Sequence, residues 1–294
     1  AAIEDGTAHA QLFHQLGMVY YGIYYEFTGE TPEERLSKFF GNDKQLANAA
    51  LIGLKKVLFR DDLPTVSEIV DLEVSGQMHY IRLACLAGMD LLASDGIEHV
   101  SNLPQESIRQ VIAFHLTMGI TDDSRWFTAL LDRMPDVVTP VLIEYSTRLI
   151  QSGKEHVSHL HIYSHNLGYA KAVLPHLFSA FPVRAKKLQI AQVLRPVMMS
   201  SLKHFDKATL LGSVQSKLKL KSLDPNQRVC WLACGLLLLP DKYKHEVFEY
   251  TGHSENRRIM LSGFLQNAVE DANVSIQSLG AVTILQLVEL LGQD

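Results

Sequence analysis

The chain has 294 residues, of which 47% are apolar and 20% are charged, and its formal net charge is −5. This balance is typical of folded globular proteins and excludes an intrinsically disordered chain. The longest apolar run, from Val229 to Leu239, spans 11 residues, about half of the ~20 that cross a bilayer. The run therefore predicts a buried helix, and no membrane partner is expected.

Cysteine usage and the first residues of the chain predict its compartment. The three cysteines, Cys85, Cys230 and Cys234, do not make a disulfide framework and are expected to be reduced, buried thiols. No secretory leader opens the chain. We therefore expect a cytoplasmic location. Because the chain begins Ala-Ala without a methionine, we also expect a fragment of a larger protein.

An aromatic cluster marks the first predicted helix, between Leu16 and Phe27. Its four tyrosines are Tyr20, Tyr21, Tyr24 and Tyr25. Pairs spaced i, i+4 spread these rings over a wide arc of a helix, whereas the terminal unit of a helical array has a polar outer face. Two interpretations stay open: local core packing, or a docking surface for a preceding domain or a second copy.

Helix starts are well marked further along the chain. Thr31 and Asp224 are each followed by a proline at the first helical position and then by Glu or Gln, which predicts capped helices. Thr65 and Glu68 form a third capping box. Apolar residues recur at helical spacing and period-2 alternation is almost absent, so the sequence predicts an all-α protein.

Prolines recur along the chain at a period near 40 residues. Leu63-Pro64 and Leu103-Pro104 each open an amphipathic helix, and the prolines at 64, 104, 140, 182 and 225 are 40, 36, 42 and 43 residues apart. Two helices per unit of this length are typical of HEAT and armadillo arrays. We therefore predict a right-handed α-α superhelix, a HEAT-like solenoid of roughly 13–15 helices. It is expected to cover residues 1–294 as one domain, with a subdivision near 152–168; a non-repeating helical bundle is the alternative.

Four histidines fall within ten residues, at His156, His159, His161 and His165. His161 and His165 are the candidate metal ligands, because residues spaced i, i+4 share one face of a helix. A metal site needs three or four converging ligands, and two such pairs on one helix do not converge. Glu155 is the only acid nearby. The stretch is therefore predicted to be a connection between helices, and neither a metal site nor a cofactor is expected.

Positive charge is concentrated between Pro182 and Lys221. The segment holds nine Lys or Arg residues and one acid, Asp206, so its net charge is +8 and the rest of the chain carries −13. Such segregation favours an anionic partner: nucleic acid, an acidic protein surface or an acidic neighbouring domain. A solvated helix face is the other interpretation. The residues predicted to form the patch are Arg184, Lys186, Lys187, Lys203, Lys207, Lys217, Lys219 and Lys221.

Catalytic motifs are missing from the sequence. Neither a G-x-S-x-G nucleophile elbow nor an H-E-x-x-H zinc motif occurs. The acid pairs Asp61-Asp62 and Asp122-Asp123 are predicted to cap helices, where carboxylates meet free amide groups. We therefore expect a protein that is not an enzyme.

Two segments resemble the HEAT-like helical-repeat regions of large bacterial NACHT or STAND-type proteins. They are Leu177–Leu194 and Leu210–Tyr243, and the landmarks are Phe181-Pro182-Val183-Arg184 and Gln227-Arg228-Val229. With the flanking residues up to Leu265, the resemblance covers about 90 residues, from Leu177 onwards. It implies repeats that recognise a target while a separate NTPase core drives a switch. This chain has no G-x-x-x-x-G-K-[ST] motif, so no NTPase activity is assigned to it.

The first functional hypothesis is a non-catalytic helical-repeat scaffold for protein–protein interaction or target sensing, with a protein or an adjacent domain as its partner. The second is a nucleic-acid-binding HEAT-like protein that uses the basic segment, which requires its cations to share one face. The third is a metal-dependent enzyme that uses the histidine stretch.

Overall fold

The computed structural model describes residues 1–27, 29–118 and 124–292. Helices account for 73% of the residues, and no strand occurs in the described ranges, which confirms the all-α prediction. The described ranges hold 18 α-helical segments, or 17 helices when the contiguous segments Lys187–Gln189 and Arg195–His204, joined by the π-helix Ile190–Leu194, are counted as one. The number exceeds the predicted 13–15 because segments as short as Ile97–Ser101 and His161–His165 form helices of their own. Within the described residues, no helix combines the length and the apolar character that crossing a membrane requires.

The chain divides into two compact units, residues 1–145 and 146–294. The division falls inside the helix Pro135–Gln151, between Tyr145 and Ser146. The single continuous solenoid, with its subdivision near 152–168, stays a prediction.

The first unit is built around one central helix. Its helices are α1 (Ala10–Tyr20), α2 (Pro32–Phe39), α3 (Lys44–Lys56), α4 (Val66–Ser75), α5 (Arg82–Asp95), α6 (Ile97–Ser101), α7 (Gln105–Thr117), α8 (Arg125–Arg133) and the first part of α9 (Pro135–Gln151). Helix α5 packs against α1, α3, α6, α7 and α8. Every residue from Leu83 to Met89 is buried, because neighbours surround the helix.

The second unit also has a central helix. Its helices are the end of α9, α10 (His161–His165), α11 (Leu167–Ala180), α12 (Lys187–Gln189), a π-helix (Ile190–Leu194), α13 (Arg195–His204), α14 (Lys207–Leu218), α15 (Pro225–Leu238), α16 (Pro240–Gly252), α17 (Glu255–Glu270) and α18 (Ala281–Leu291). Helix α15 packs against α13, α14, α16 and α17. It contains most of the apolar run Val229–Leu239, and its residues Val229–Leu237 are buried, as the sequence predicts.

The capping signals act as the sequence predicts. The Thr31 side chain accepts a hydrogen bond from the Glu34 amide, and the Asp224 carboxylate accepts from two amides of the first turn of α15. Thr65 and Glu68 form the reciprocal capping box at the start of α4. Local side-chain chemistry therefore determines where these three helices begin.

Glycines allow α5 to approach its neighbours at backbone distance. A Cβ atom on Gly88 would overlap the carbonyl oxygen of Leu54 in α3, and one on Gly17 of α1 would lie 2.7 Å from the Leu83 carbonyl carbon. Both positions are helical, so the requirement is for a missing side chain and not for an unusual backbone angle. The packing of α1 and α3 on α5 depends on these two residues.

Replacing Gly88 by alanine is therefore expected to lower the free energy of unfolding by about 1–3 kcal/mol, because the added methyl group must displace backbone. The matched control is Gly212→Ala in α14, where an added Cβ meets nothing within 4 Å. The control should raise stability by about 0.5–1 kcal/mol, because alanine favours the helix. Urea unfolding followed by circular dichroism measures both; equal effects of the two variants would contradict the close contact.

Candidate functional site

The predicted tyrosine-bearing helix ends earlier than the sequence pattern indicates. Helix α1 stops at Tyr20, and Gly22 follows with a left-handed φ of 68°. The Arg35 side chain of α2 donates to the last carbonyl oxygens of the helix, with Nε 3.1 Å from Val19 O. The prediction that the four tyrosines spread over one helix is therefore wrong. Left-handed glycine is a common helix terminator, and Gly22 supplies it here.

The four tyrosines have different environments as a result. Tyr20 is buried in the core, whereas Tyr24 is half-buried and packs its ring edge-on against Phe27. Tyr25 is 88% exposed and Tyr21 is 39% exposed. The predicted docking surface thus retains two exposed tyrosines.

Tyr21 lines a pocket in the first unit. The pocket has a volume of about 340 Å³ and a mostly apolar wall. Its lining residues are Tyr21, Ile23, Leu83, Leu86, Asp90, His115, Met118, Ser124 and Trp126. We call it the Asp90 pocket, after the one carboxylate in this described wall. The pocket is open to solvent beside Tyr21 and Ile23; the Ile23 side chain is 44% exposed.

Two neutral donors hold the Asp90 carboxylate. The Tyr21 hydroxyl donates to Asp90 Oδ2 at 2.7 Å, and the Trp126 indole nitrogen donates to Oδ1 at 2.9 Å. These two hydrogen bonds connect Tyr21, at the end of α1, and Trp126, in the first turn of α8, to the central helix α5. The His115 ring of α7 lies edge-on to Trp126, with ring centroids 5.1 Å apart. Four helices or helix ends converge on this pocket.

Burial governs the ionisation of the groups in the pocket. It raises the pKa of Asp90 above its ordinary value, and the hydrogen bonds from Tyr21 and Trp126 act in the opposite direction. Burial, together with the neighbouring Asp90 charge, raises the pKa of Tyr21. The Tyr21 hydroxyl therefore remains a donor at neutral pH and is poorly suited to act as a base or nucleophile. The arrangement is suited to binding.

The basic segment is organised by the loop at residues 181–183. Lys217 Nζ donates to the Phe181 carbonyl oxygen at 3.0 Å, the Gln227 side chain donates to Pro182 O at 2.9 Å, and the Asp224 amide donates to Val183 O at 2.9 Å. Burial lowers the pKa of the half-buried Lys217. This lysine therefore holds the loop against the end of α14.

The eight predicted cations fall into two groups. Six of them lie within a few residues of the groups that form the hydrogen bonds to residues 181–183, and we call these six the loop-183 cations. They are Arg184, Lys186, Lys187, Lys217, Lys219 and Lys221. All except Lys217 are exposed, and Lys186 forms a surface ion pair with Glu155 at 3.5 Å. Lys203 and Lys207 lie towards the opposite end of α14, which is about 18 Å long. Lys203 donates to the Ser164 carbonyl oxygen at 2.9 Å.

The histidine stretch connects α9 to α11. His161 and His165 are the first and last residues of the five-residue helix α10, and Asn166 caps α11 through the Tyr169 amide. His159 is buried with a left-handed φ of 62°, and its ring centroid lies 5.8 Å from that of His161. In ranges 1–27, 29–118 and 124–292, no group of three or more His, Cys, Asp or Glu side chains is arranged to hold a metal ion.

One acid pair has a different role from the predicted cap. Asp62 accepts two hydrogen bonds from the Arg60 guanidinium, at 2.7 and 2.6 Å, and Thr65 caps the following helix instead. The Arg60 guanidinium holds the pKa of Asp62 below its usual range. The prediction was wrong because it did not consider a cation two residues before Asp62. The second pair, Asp122-Asp123, lies outside the described residues.

Sequence reasoning missed the Asp90 pocket, because its residues lie far apart in the chain: 69 positions separate Tyr21 from Asp90. One signal was present. Asp90 is the single charged residue between Leu83 and Leu92, within an otherwise apolar stretch. A lone carboxylate in such a stretch requires hydrogen-bond partners when the helix is buried, and it is a candidate for binding.

Comparison with models of protein families, with curated proteins and with solved structures finds no match to this chain. The resemblance of Leu177–Leu194 and Leu210–Tyr243 to NACHT or STAND-type helical regions therefore stays a resemblance of sequence. The function is inferred from the geometry of the chain itself.

The raised pKa of Asp90 leads to a pH-dependent prediction. The folded state binds the Asp90 proton more tightly than the unfolded state, so the Asp90 contribution to stability falls as pH rises from about 4 through the raised pKa. Asp90→Asn removes this titration. The stability of wild type relative to Asp90→Asn should therefore fall between pH 4 and pH 7, measured as urea midpoints. The control Asp136→Asn, at an exposed position, should change the pH dependence of the urea midpoint less. If the midpoints of wild type and Asp90→Asn differ by the same amount at every pH, the prediction is wrong.

Proposed function

We propose that the chain is a non-catalytic, cytoplasmic helical-repeat scaffold, built as a HEAT-like right-handed α-α superhelix, that binds a protein partner or an adjacent domain. The proline period and the resemblance to NACHT or STAND-type helical regions support this proposal. The three free, buried cysteines agree with a reducing compartment. The single observation that carries the binding role is the open, apolar Asp90 pocket.

In this proposal the Asp90 pocket takes up an anchor side chain of the partner. Binding energy in protein interfaces is concentrated in a few anchors that fill well-packed, desolvated pockets. The rim residues Tyr21 and Ile23 are exposed, and Tyr25 adds a nearly fully exposed aromatic ring two residues away. Tyrosine supplies a large contact area at low entropic cost, so these residues are suited to surround the anchor.

A filled pocket tests the docking role. Ser124 lines the pocket at the start of α8 without a side-chain capping bond, so Ser124→Trp places an indole there with little cost to the helix. Peptides selected from a displayed library of random peptides on the wild-type chain should bind Ser124→Trp at least about tenfold more weakly, because the anchor loses its space.

Ser124→Ala is the matched control, and it should bind the selected peptides as wild type does. Fluorescence anisotropy with labelled peptides measures the affinities. Failure to select any peptide, or equal affinity for Ser124→Trp and wild type, would show that the pocket is not the docking site.

A second candidate function, nucleic-acid binding, is favoured by the grouping of the loop-183 cations. Five exposed cations near one loop offer phosphate contacts, and each contact makes binding weaken as salt rises. Between Pro182 and Lys221 the sequence has a single Phe, Tyr or Trp residue, Phe205, which favours duplex backbone over stacked single strands.

Charge reversal tests this second candidate. The double variant Lys219→Glu with Lys221→Glu should abolish salt-sensitive binding to a duplex oligonucleotide in an anisotropy titration. Lys203→Glu with Lys207→Glu, at the other end of α14, is the matched control and should retain most of the affinity. If wild type does not bind the duplex at low salt, or if both variants lose the same affinity, the second candidate is wrong.

A further inference from the structure

We propose that the group bound in the Asp90 pocket is an organic cation, an ammonium group carried on an apolar arm. This inference rests on the proposed function, because it names the chemistry of the anchor that the same pocket takes up. Three features of the pocket carry it: the charge of the wall, the pairing of Asp90, and the aromatic rings beside the carboxylate.

The charge of the described wall is one-sided. Among the described residues that line the pocket, Asp90 is the one acid and none is Lys or Arg. The other lining residues are apolar or neutral apart from the imidazole of His115. A neutral apolar ligand would fill the pocket but would offer no positive charge to the Asp90 carboxylate. A ligand with a positive group would fill the space and also meet the charge.

The pairing of Asp90 leaves its charge without a cation from the protein. Tyr21 and Trp126 are neutral donors, one to each carboxylate oxygen, and Asp90 forms no ion pair within the described ranges. A carboxylate oxygen accepts two hydrogen bonds, and the described residues donate one to each, so each oxygen can accept one more. Coulomb attraction is stronger in a partly buried site than in water, so an incoming cation gains more here than at the surface.

Aromatic rings line the same space. Tyr21 and Trp126 both touch the pocket, and the Tyr20 ring supports Tyr21 edge-on with centroids 5.0 Å apart. Ring faces attract alkylated ammonium groups, most strongly where the cation is desolvated. The volume of about 340 Å³ is at the lower end of small-molecule pockets, which fits an alkylammonium group and a short arm.

A matched pair of probes isolates the charge. Choline and 3,3-dimethylbutan-1-ol have nearly the same shape, and only choline carries a positive charge. Both are titrated into the full-length ¹⁵N-labelled chain while the indole N–H signal of Trp126, the donor to Asp90, is followed by NMR. The chain has two tryptophans, so Trp231→Phe assigns the signal. We expect choline to bind at least about tenfold more tightly than the neutral alcohol.

Two variants locate the effect. Asp90→Asn removes the charge and should bring the affinities for the two probes within about twofold of each other. Ile23→Lys leaves the Asp90 hydrogen bonds in place and puts a cation at the exposed rim, so it should weaken choline binding alone. Leu46→Lys makes the same change at an exposed position of α3 that does not line the pocket, so it is the charge-matched control and should bind choline as wild type does. Equal affinity of wild type for choline and the alcohol, or a choline preference that survives in Asp90→Asn, would overturn the inference.

The outcome also separates this inference from the proposed function. If the neutral alcohol binds as tightly as choline and Ser124→Trp blocks both, the pocket is an apolar docking site and only the cation inference fails. A short peptide that carries trimethyllysine, compared with the same peptide carrying norleucine, distinguishes a protein-borne ammonium from a free one. Tighter binding of the trimethyllysine peptide than of choline assigns the cation to a protein partner, and the reverse assigns it to a small molecule.

Discussion

The close contact of α5 with α1 and α3 is the constraint on which the first unit depends. Gly17 and Gly88 remove the side chains that would separate the helices, so backbone meets backbone on two sides of α5. The end of α1 is thereby held near the last turns of α5, where the Tyr21 hydroxyl reaches Asp90. The pocket forms beside this contact because the chain turns away at Gly22.

Asp90 combines a structural role with a binding role. Its hydrogen bonds join the end of α1 and the start of α8 to the central helix, which stabilises the pocket wall. The two neutral donors satisfy part of the hydrogen-bonding capacity of the carboxylate, and no described Lys or Arg pairs with its charge. A site that is already organised pays little further entropy when a ligand enters, so a small pocket of this kind can bind with useful affinity.

Local features of the fold were predictable from sequence, and features that need distant residues were not. The sequence predicts the helix caps Thr31, Thr65 and Asp224 correctly, because a cap depends only on the next three residues. The prediction of one helix through the tyrosine segment is wrong because apolar spacing continues past Gly22, where the backbone turns left-handed. The sequence groups the eight basic residues by position in the chain, whereas hydrogen bonds from Lys217, Asp224 and Gln227 to residues 181–183 join the two stretches of chain that carry six of them. Of the Asp90 pocket, only the lone carboxylate was visible in the sequence.

The three cysteines lie in the two central helices, Cys85 in α5 and Cys230 with Cys234 in α15, and all three are fully buried. Burial raises the pKa of each thiol, to about 12 for Cys230. Thiolate is the form that reacts with alkylating reagents, so these side chains are protected while each helix stays covered. Alkylation of Cys85 reports opening of the first unit, and alkylation of Cys230 and Cys234 reports opening of the second. The native sequence thus carries a separate chemical reporter for the cooperativity of each half.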